Sequence, residues 1–138
     1  MNAVTHINPD SLHHSPAFSH AVRVPTGHDT VYVGGQNGTG PDGEVVGPGL
    51  GEQTRQAFEN LRACLEAAGA DLTDVVKWTI LCVAGVDMHE GFAAAGEIWP
   101  REVSPPAITV AIVSGLAVPG ALVEIEAVAA IQADGRPA

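Results

Sequence analysis

The chain has 138 residues, 46% apolar but only 4% aromatic, so one domain over residues 1–138 with a core of small aliphatic side chains is expected. Six Lys and Arg against sixteen Asp and Glu leave a net charge of −10, which argues against a nucleic-acid partner, since phosphate backbones need clustered cations. No apolar run is long enough to span a bilayer, and the N-terminus has neither a basic start nor an apolar stretch, so a cytoplasmic protein with no membrane partner is expected.

Residues 1–17 are polar, with Pro9, Pro16 and the pair His13-His14, and read as an irregular lead-in. His13, His14 and His20 match no recognised ligand spacing, so solvated histidines and no metal or other cofactor are expected. Phe18–Val24 suits a first strand. Thr30–Gly34, T-V-Y-V-G, suits a second, rich in β-formers. Gly34-Gly35-Gln36 ends it; the glycines form a tight turn or let another group approach the backbone. Asn37–Gly51 is a loop with six glycines and two prolines, with room for a short strand at Glu44–Val46. Asn37-Gly38-Thr39 matches a glycosylation sequon but reads as a turn in the absence of a secretory signal.

Glu52–Ala68 is the clearest helix. Phe58, Leu61, Leu65 and Ala68 follow helical spacing, and Thr54, Ala57 and Cys64 widen the stripe. Glu52 suits the positive end of the helix dipole, and Gly69 suits the position after the C-cap. Arg55, Glu59, Arg62 and Glu66 form the solvated face. Val75–Val83 is a nearly continuous apolar strand covered on both faces. Lys77 interrupts it and calls for a carboxylate partner or an interface edge. Asp87–Trp99 is a second helix with Met88, Phe92, Ala95 and Trp99 on one stripe, ended by Pro100. Cys64 and Cys82, in separate apolar segments, read as reduced core cysteines. Residues 133–138 read as a loose tail.

The stretch Pro105–Ala130 holds two apolar strands around a Gly/Pro turn. In the second, Glu124 and Glu126 share one face, and Val123, Ile125 and Ala127 share the other. A half-solvated strand explains this; a polar site on that face is the alternative. The order of elements implies an α+β fold, one mixed sheet with two helices on one face. Two helices cover only one face, yet Val75–Val83 and Ala107–Val113 are apolar on both. Self-association is the simplest way to cover the other.

Several segments, taken together, resemble the RidA/YjgF reactive-intermediate deaminases, also called the endoribonuclease L-PSP family. They are Phe18-Ser19-His20, V-Y-V-G-G-Q at 31–36, E-Q-T-R-Q-A-F-E-N-L at 52–61, A-A-G-A-D-L-T-D-V-V-K at 67–77, the helix with Met88 and Phe92, and L-V-E-I-E-A at 122–127. The resemblance implies a chorismate-mutase-like fold and a homotrimer whose sheets form a central β-barrel. Three clefts between subunits would then bind a small-molecule ligand.

The family's usual chemistry is hydrolysis of 2-enamines and 2-imines derived from amino acids. An arginine two residues after a proline holds the substrate carboxylate, and a glutamate in the last strand positions the water. Aligning P-P-A-I-T-V with the family's P-A-R-[ST]-x-V puts Ala107 at the arginine and Thr109 at a position that is often small or cysteine. Glu124 falls on the glutamate, and Gly35 and Gln36 on the S-G-Q turn, with Gly34 at its serine. Phe18 replaces a tyrosine, His20 a glutamine, Gly96 an asparagine and Trp99 a tyrosine.

These departures imply a hydrolase with altered specificity. Glu124 would activate water, helped by His20, with Phe18, Ala107 and Trp99 as an apolar wall. Small anionic imines would be handled poorly unless Arg23 or Arg101 replaces the missing arginine. A non-catalytic trimer that binds a small molecule or a protein is the alternative. Ribonuclease activity is disfavoured by the chain's acidity.

Overall fold

A four-stranded mixed sheet carries the chain, ordered β3 (His28–Gln36), β6 (Val123–Gln132), β4 (Val75–Val83) and β5 (Ala107–Val113). The structure is a computed structural model and describes residues 3–133, so all but the first residue of the expected tail lies outside it. β6 runs antiparallel to both β3 and β4, whereas β4 and β5 are parallel. A parallel pair needs a crossover, and α2 (Met88–Gly96) supplies it. β1 (Thr5–Ile7) and β2 (Ala21–Arg23) form a separate antiparallel ribbon.

The core lies between one face of this sheet and α1 (Leu50–Ala67). Leu50, Ala57, Phe58, Leu61 and Leu65 bury the α1 stripe against Trp78, Cys82, Val123, Ile125 and Ala127. Small residues in β6, with Ala127 and Ala129 buried, make room for the bulky helix side chains. Phe58 and Trp78 meet edge to face at 5.2 Å, and Trp78 meets Trp99 in the same manner at 6.3 Å. The Glu52 carboxylate accepts a hydrogen bond from the Gly49 N–H at 2.9 Å, closing the start of α1. Gly69 ends the helix with φ of +80°, a conformation that suits glycine.

The mixed sheet with two helices agrees with the expected α+β class; several boundaries differ. The lead-in contains β1, and the first strand shortens to residues 21–23 because Phe18-Ser19 turns aside to bridge the start of β5. Glu44–Val46 gives only an isolated bridge, Thr39 to Val45. α2 stops at Gly96, three residues before Trp99, whose Nε1–H donates to the Val103 carbonyl at 2.9 Å. Cys64 and Ala68 are exposed, since the stripe is narrower than the spacing suggests; only Cys82 of the two free thiols is buried. On α2, Ala94 takes the fully buried position while Phe92 stays 53% exposed, because α2 packs principally on α1 and leaves the β5 edge uncovered.

Candidate functional site

β6 places Glu124 and Glu126 on the face away from the helices, as its alternation requires, while Val123, Ile125 and Ala127 enter the core. The Glu124 carboxylate lies directly against Gly35 of β3. A side-chain carbon at residue 35 would collide with it and push it aside, so the glycine matters for contact rather than for an unusual φ. A register shift between Val33 and Gln36 produces this approach. The Glu124 carboxylate makes no hydrogen bond to the described residues, and its lone pairs stay open.

The surroundings of Glu124 are tied down from below. Gln53 of α1 is fully buried. Its amide nitrogen donates to the carbonyls of Gly47 at 2.8 Å and Gly120 at 3.1 Å, and its oxygen accepts from Leu122 N–H at 2.8 Å. Asn37 donates to the Val123 carbonyl at 2.9 Å, and Asn60 to the carbonyls of Asn37 and Thr39. Gln36 turns back and donates to the Gly34 carbonyl at 3.1 Å. The sequence reading gave these amides no role. A polar side chain on the apolar stripe, three residues after Leu50 and four before Ala57, is the signal that marks Gln53.

The other candidate residues gather at the start of β5. Ser19 N–H donates to the Pro106 carbonyl at 3.1 Å and Ser19 Oγ to the Pro105 carbonyl at 2.5 Å, and Ser19 bridges Ala107. This clip sets Phe18 beside the strand. Phe18 stacks edge to face on His20 at 5.2 Å, and His20 meets His13 at 5.4 Å. His20 Nε2 donates to the His13 carbonyl at 2.6 Å. Phe18 and Trp99 line an open groove of about 750 Å³ with Phe92, Ile108, Val110 and Arg101. Gly96 lines the same groove. Arg101 is exposed and, among the described residues, has no ion-pair partner. Arg23 lies on β2, in the separate ribbon, paired with Thr5.

Ala107 and Thr109 alternate with Ile108 and Val110 and so face the opposite side of β5 from the groove, the side of Glu124. Lys77 stands opposite Ala107 in the parallel register, and its Nζ donates to Thr109 Oγ1 at 2.6 Å. Of the two explanations expected for Lys77, a carboxylate partner or an interface edge, the first is replaced within the chain by a hydroxyl.

One chain does not unite these residues. Ala107 pairs with Lys77, whereas Glu124 pairs with Leu81, four residues further along β4. At roughly 3.3 Å per residue that is about 13 Å along the strand, with β4 between them. Glu124, Gly35 and Gln36 form one group. The second, at the start of β5, is itself divided by that strand, with Ala107 and Thr109 on the face of Glu124 and Phe18, Trp99 and, against Phe18, His20 on the groove side. Ala107 therefore does not share the expected apolar wall with Phe18 and Trp99.

Comparison with known proteins gives a consistent answer. The profile of the family described as Endoribonuclease L-PSP matches residues 9–131. A 2-iminobutanoate/2-iminopropanoate deaminase of Rattus norvegicus is 38% identical over 115 residues, covering 82% of this chain and 79% of that protein. The protein of that name from Homo sapiens is 37% identical over 114 residues, covering 81% and 78%. Among solved structures, a protein of the conserved Rid family from Yersinia pestis superimposes with a TM-score of 0.82 at 34% identity, over 95% of this chain and 100% of that one. RidA from an Antarctic Psychrobacter gives a TM-score of 0.67 at 34% identity, over 82% and 87%.

Proposed function

The chain belongs to the endoribonuclease L-PSP family, which is the RidA/YjgF family, and from that premise we propose that it hydrolyses imines and enamines of small organic substrates at clefts between the subunits of a homotrimer. The observation that carries this reading is the Glu124 carboxylate held open against Gly35. Its free lone pairs suit a base that takes a proton from water. The oxygen then adds to the imine carbon, the nitrogen gains protons, and ammonia leaves as the carbonyl forms.

Two features support assembly. The two residue groups are too far apart in one chain to act on one small molecule. The sheet face carrying Glu124 also holds Leu81, Val83, Ala111, Val113 and Val128, with Tyr32 at 80% exposure on the neighbouring strand. A copy of the chain docked there would meet that surface and bring the second group to the first. Among the described residues no helix is long and apolar enough to cross a membrane.

Ala107 offers neither charge nor donor where the family's arginine makes two charge-assisted bonds to a carboxylate. Small anionic imines are therefore handled less well than by arginine-bearing relatives, and neutral or more apolar imines lose nothing. Phe18 and Trp99 line the apolar groove on the other side of β5, next to this position.

The test generates imines in situ with an amino-acid oxidase and follows their decay. Glu124→Gln should lower the catalysed rate by about 10²–10⁴. Gly35→Ala should lower it too, by pushing the carboxylate aside. Ala107→Arg should improve handling of small 2-imino acids. Undiminished turnover in Glu124→Gln would overturn the reading.

A further inference from the structure

We infer that Lys77 and Thr109 together form the carboxylate-binding pair of this site, in place of the missing arginine. Lys77 was singled out in the sequence as a cation in an apolar strand, and the reaction described above does not use it. It projects from β4 on the face shared with Ala107 and Thr109. Among the described residues its side chain has no ion-pair partner, although Glu126 lies on the same face opposite Thr79, one diagonal position away.

The donor count supports a ligand. An ammonium carries three N–H groups, and Lys77 spends one on Thr109 Oγ1. Two remain. The Thr109 hydroxyl accepts that bond and keeps its own O–H to donate. An N–H and an O–H donor whose heavy atoms stand 2.6 Å apart are spaced much like the two oxygens of one carboxylate. The pair thus offers two prongs where an arginine fork offers two. Ala107, opposite Lys77 in register, has no side chain long enough to fill the space in front of them. Thr109 is exposed, and the pair is open from the sheet face.

Arg101 and Arg23, the other candidates, fit less well. Arg101 borders the groove on the helix side of β5, and Arg23 belongs to the separate ribbon. Of these three cations, Lys77 is the one on the face of Ala107. Its ammonium is a hydrated point charge on a flexible stem, so the grip is weaker and more salt-dependent than a guanidinium's. This rests on the proposed imine hydrolysis for its choice of ligand: a small 2-oxo or 2-imino monocarboxylate.

Direct binding tests it without turnover. The probe is 2-oxobutanoate, the hydrolysis product of 2-iminobutanoate, titrated calorimetrically into the intact protein at low and moderate salt. Lys77→Met should weaken binding roughly tenfold or more and abolish its salt dependence. Thr109→Val should weaken it by about threefold. Lys77→Arg should restore it, which a merely structural role for the lysine would not predict. In the imine assay Lys77→Met should raise KM for the anionic substrate more than it lowers kcat. Binding of 2-oxobutanoate that is absent in the unmodified protein, or unchanged in Lys77→Met, would overturn the inference. Lys77-dependent binding of 2-oxobutanoate by an unmodified protein that turns over no imine would instead count against the hydrolase reading alone.

Discussion

The two groups of site residues are held by different physics. The Glu124 group rests on amide side chains: fully buried Gln53 and half-buried Asn37 and Asn60 each hydrogen-bond to the backbone of the segments that carry Gly35 and Glu124. The β5 group rests on edge-to-face aromatic contacts, on the Ser19 clip and on a helix that leans on α1. Buried amide bonds are directional and costly to break, whereas aromatic and apolar contacts tolerate small shifts. The Glu124 end is therefore the more firmly fixed and the start of β5 the more adaptable.

The contrast can be broken most forcefully at Gln53. Gln53→Leu removes three hydrogen bonds and leaves Gly47, Gly120 and Leu122 backbone groups without their partner. A loss of about 3 kcal/mol in unfolding free energy is expected, read from the urea midpoint at unchanged slope. A loss below about 1 kcal/mol would mean that water replaces the amide and that the Glu124 group is not rigid.

Ser19→Ala sharpens the comparison from the other side. It deletes the bond to Pro105 and leaves that carbonyl unpaired, at a cost of about 1–2 kcal/mol. Because the Ser19 N–H still bonds to Pro106, the clip should loosen without opening. Imine turnover should then change in KM more than in kcat.

The smallest effect is expected at Arg55–Glu97, an exposed pair at 3.0 Å tying α1 to the end of α2. The Arg55 guanidinium, first by its hydrogen bond and then by its charge, holds the Glu97 carboxyl below its ordinary range. A carboxyl depressed in the folded state adds stability above its unfolded value, and that stability is lost as pH falls through the folded value. Glu97→Gln should therefore be nearly neutral at pH 7, because solvent screens the pair, and should remove a slight acid-side slope from the stability profile. A large loss at pH 7 would show that α2 depends on this tether.

Patterns with a strong period were legible in the sequence. The β6 alternation put both glutamates on one face, Val75–Val83 matched its strand, and Asp87 begins α2 as its N-cap. What escaped depends on contacts distant in sequence. Nothing local shows that Ser19 meets Pro105, or that Gln53 reaches Gly120. The approach of Glu124 to Gly35 arises from a register shift between strands that neither segment encodes alone. Lys77 is the instructive case. Its oddity was plain in the sequence, but its partner across the parallel register was not.

That parallel register also constrains the order in which the chain takes shape. β6 joins β3 and β4 by antiparallel ladders, whereas β5 reaches β4 only after residues 84–106 have crossed over. β5 sits at the sheet edge with one neighbour in the sheet, so its amides should exchange with solvent sooner than those of β6. The strand carrying Ala107 and Thr109 should thus open more readily than the central strands β6 and β4. A chain that has closed its core but not its edge would hold Glu124 in place and lack the partner of Lys77. Such a species would look folded to a spectroscope and be unable to grip a carboxylate.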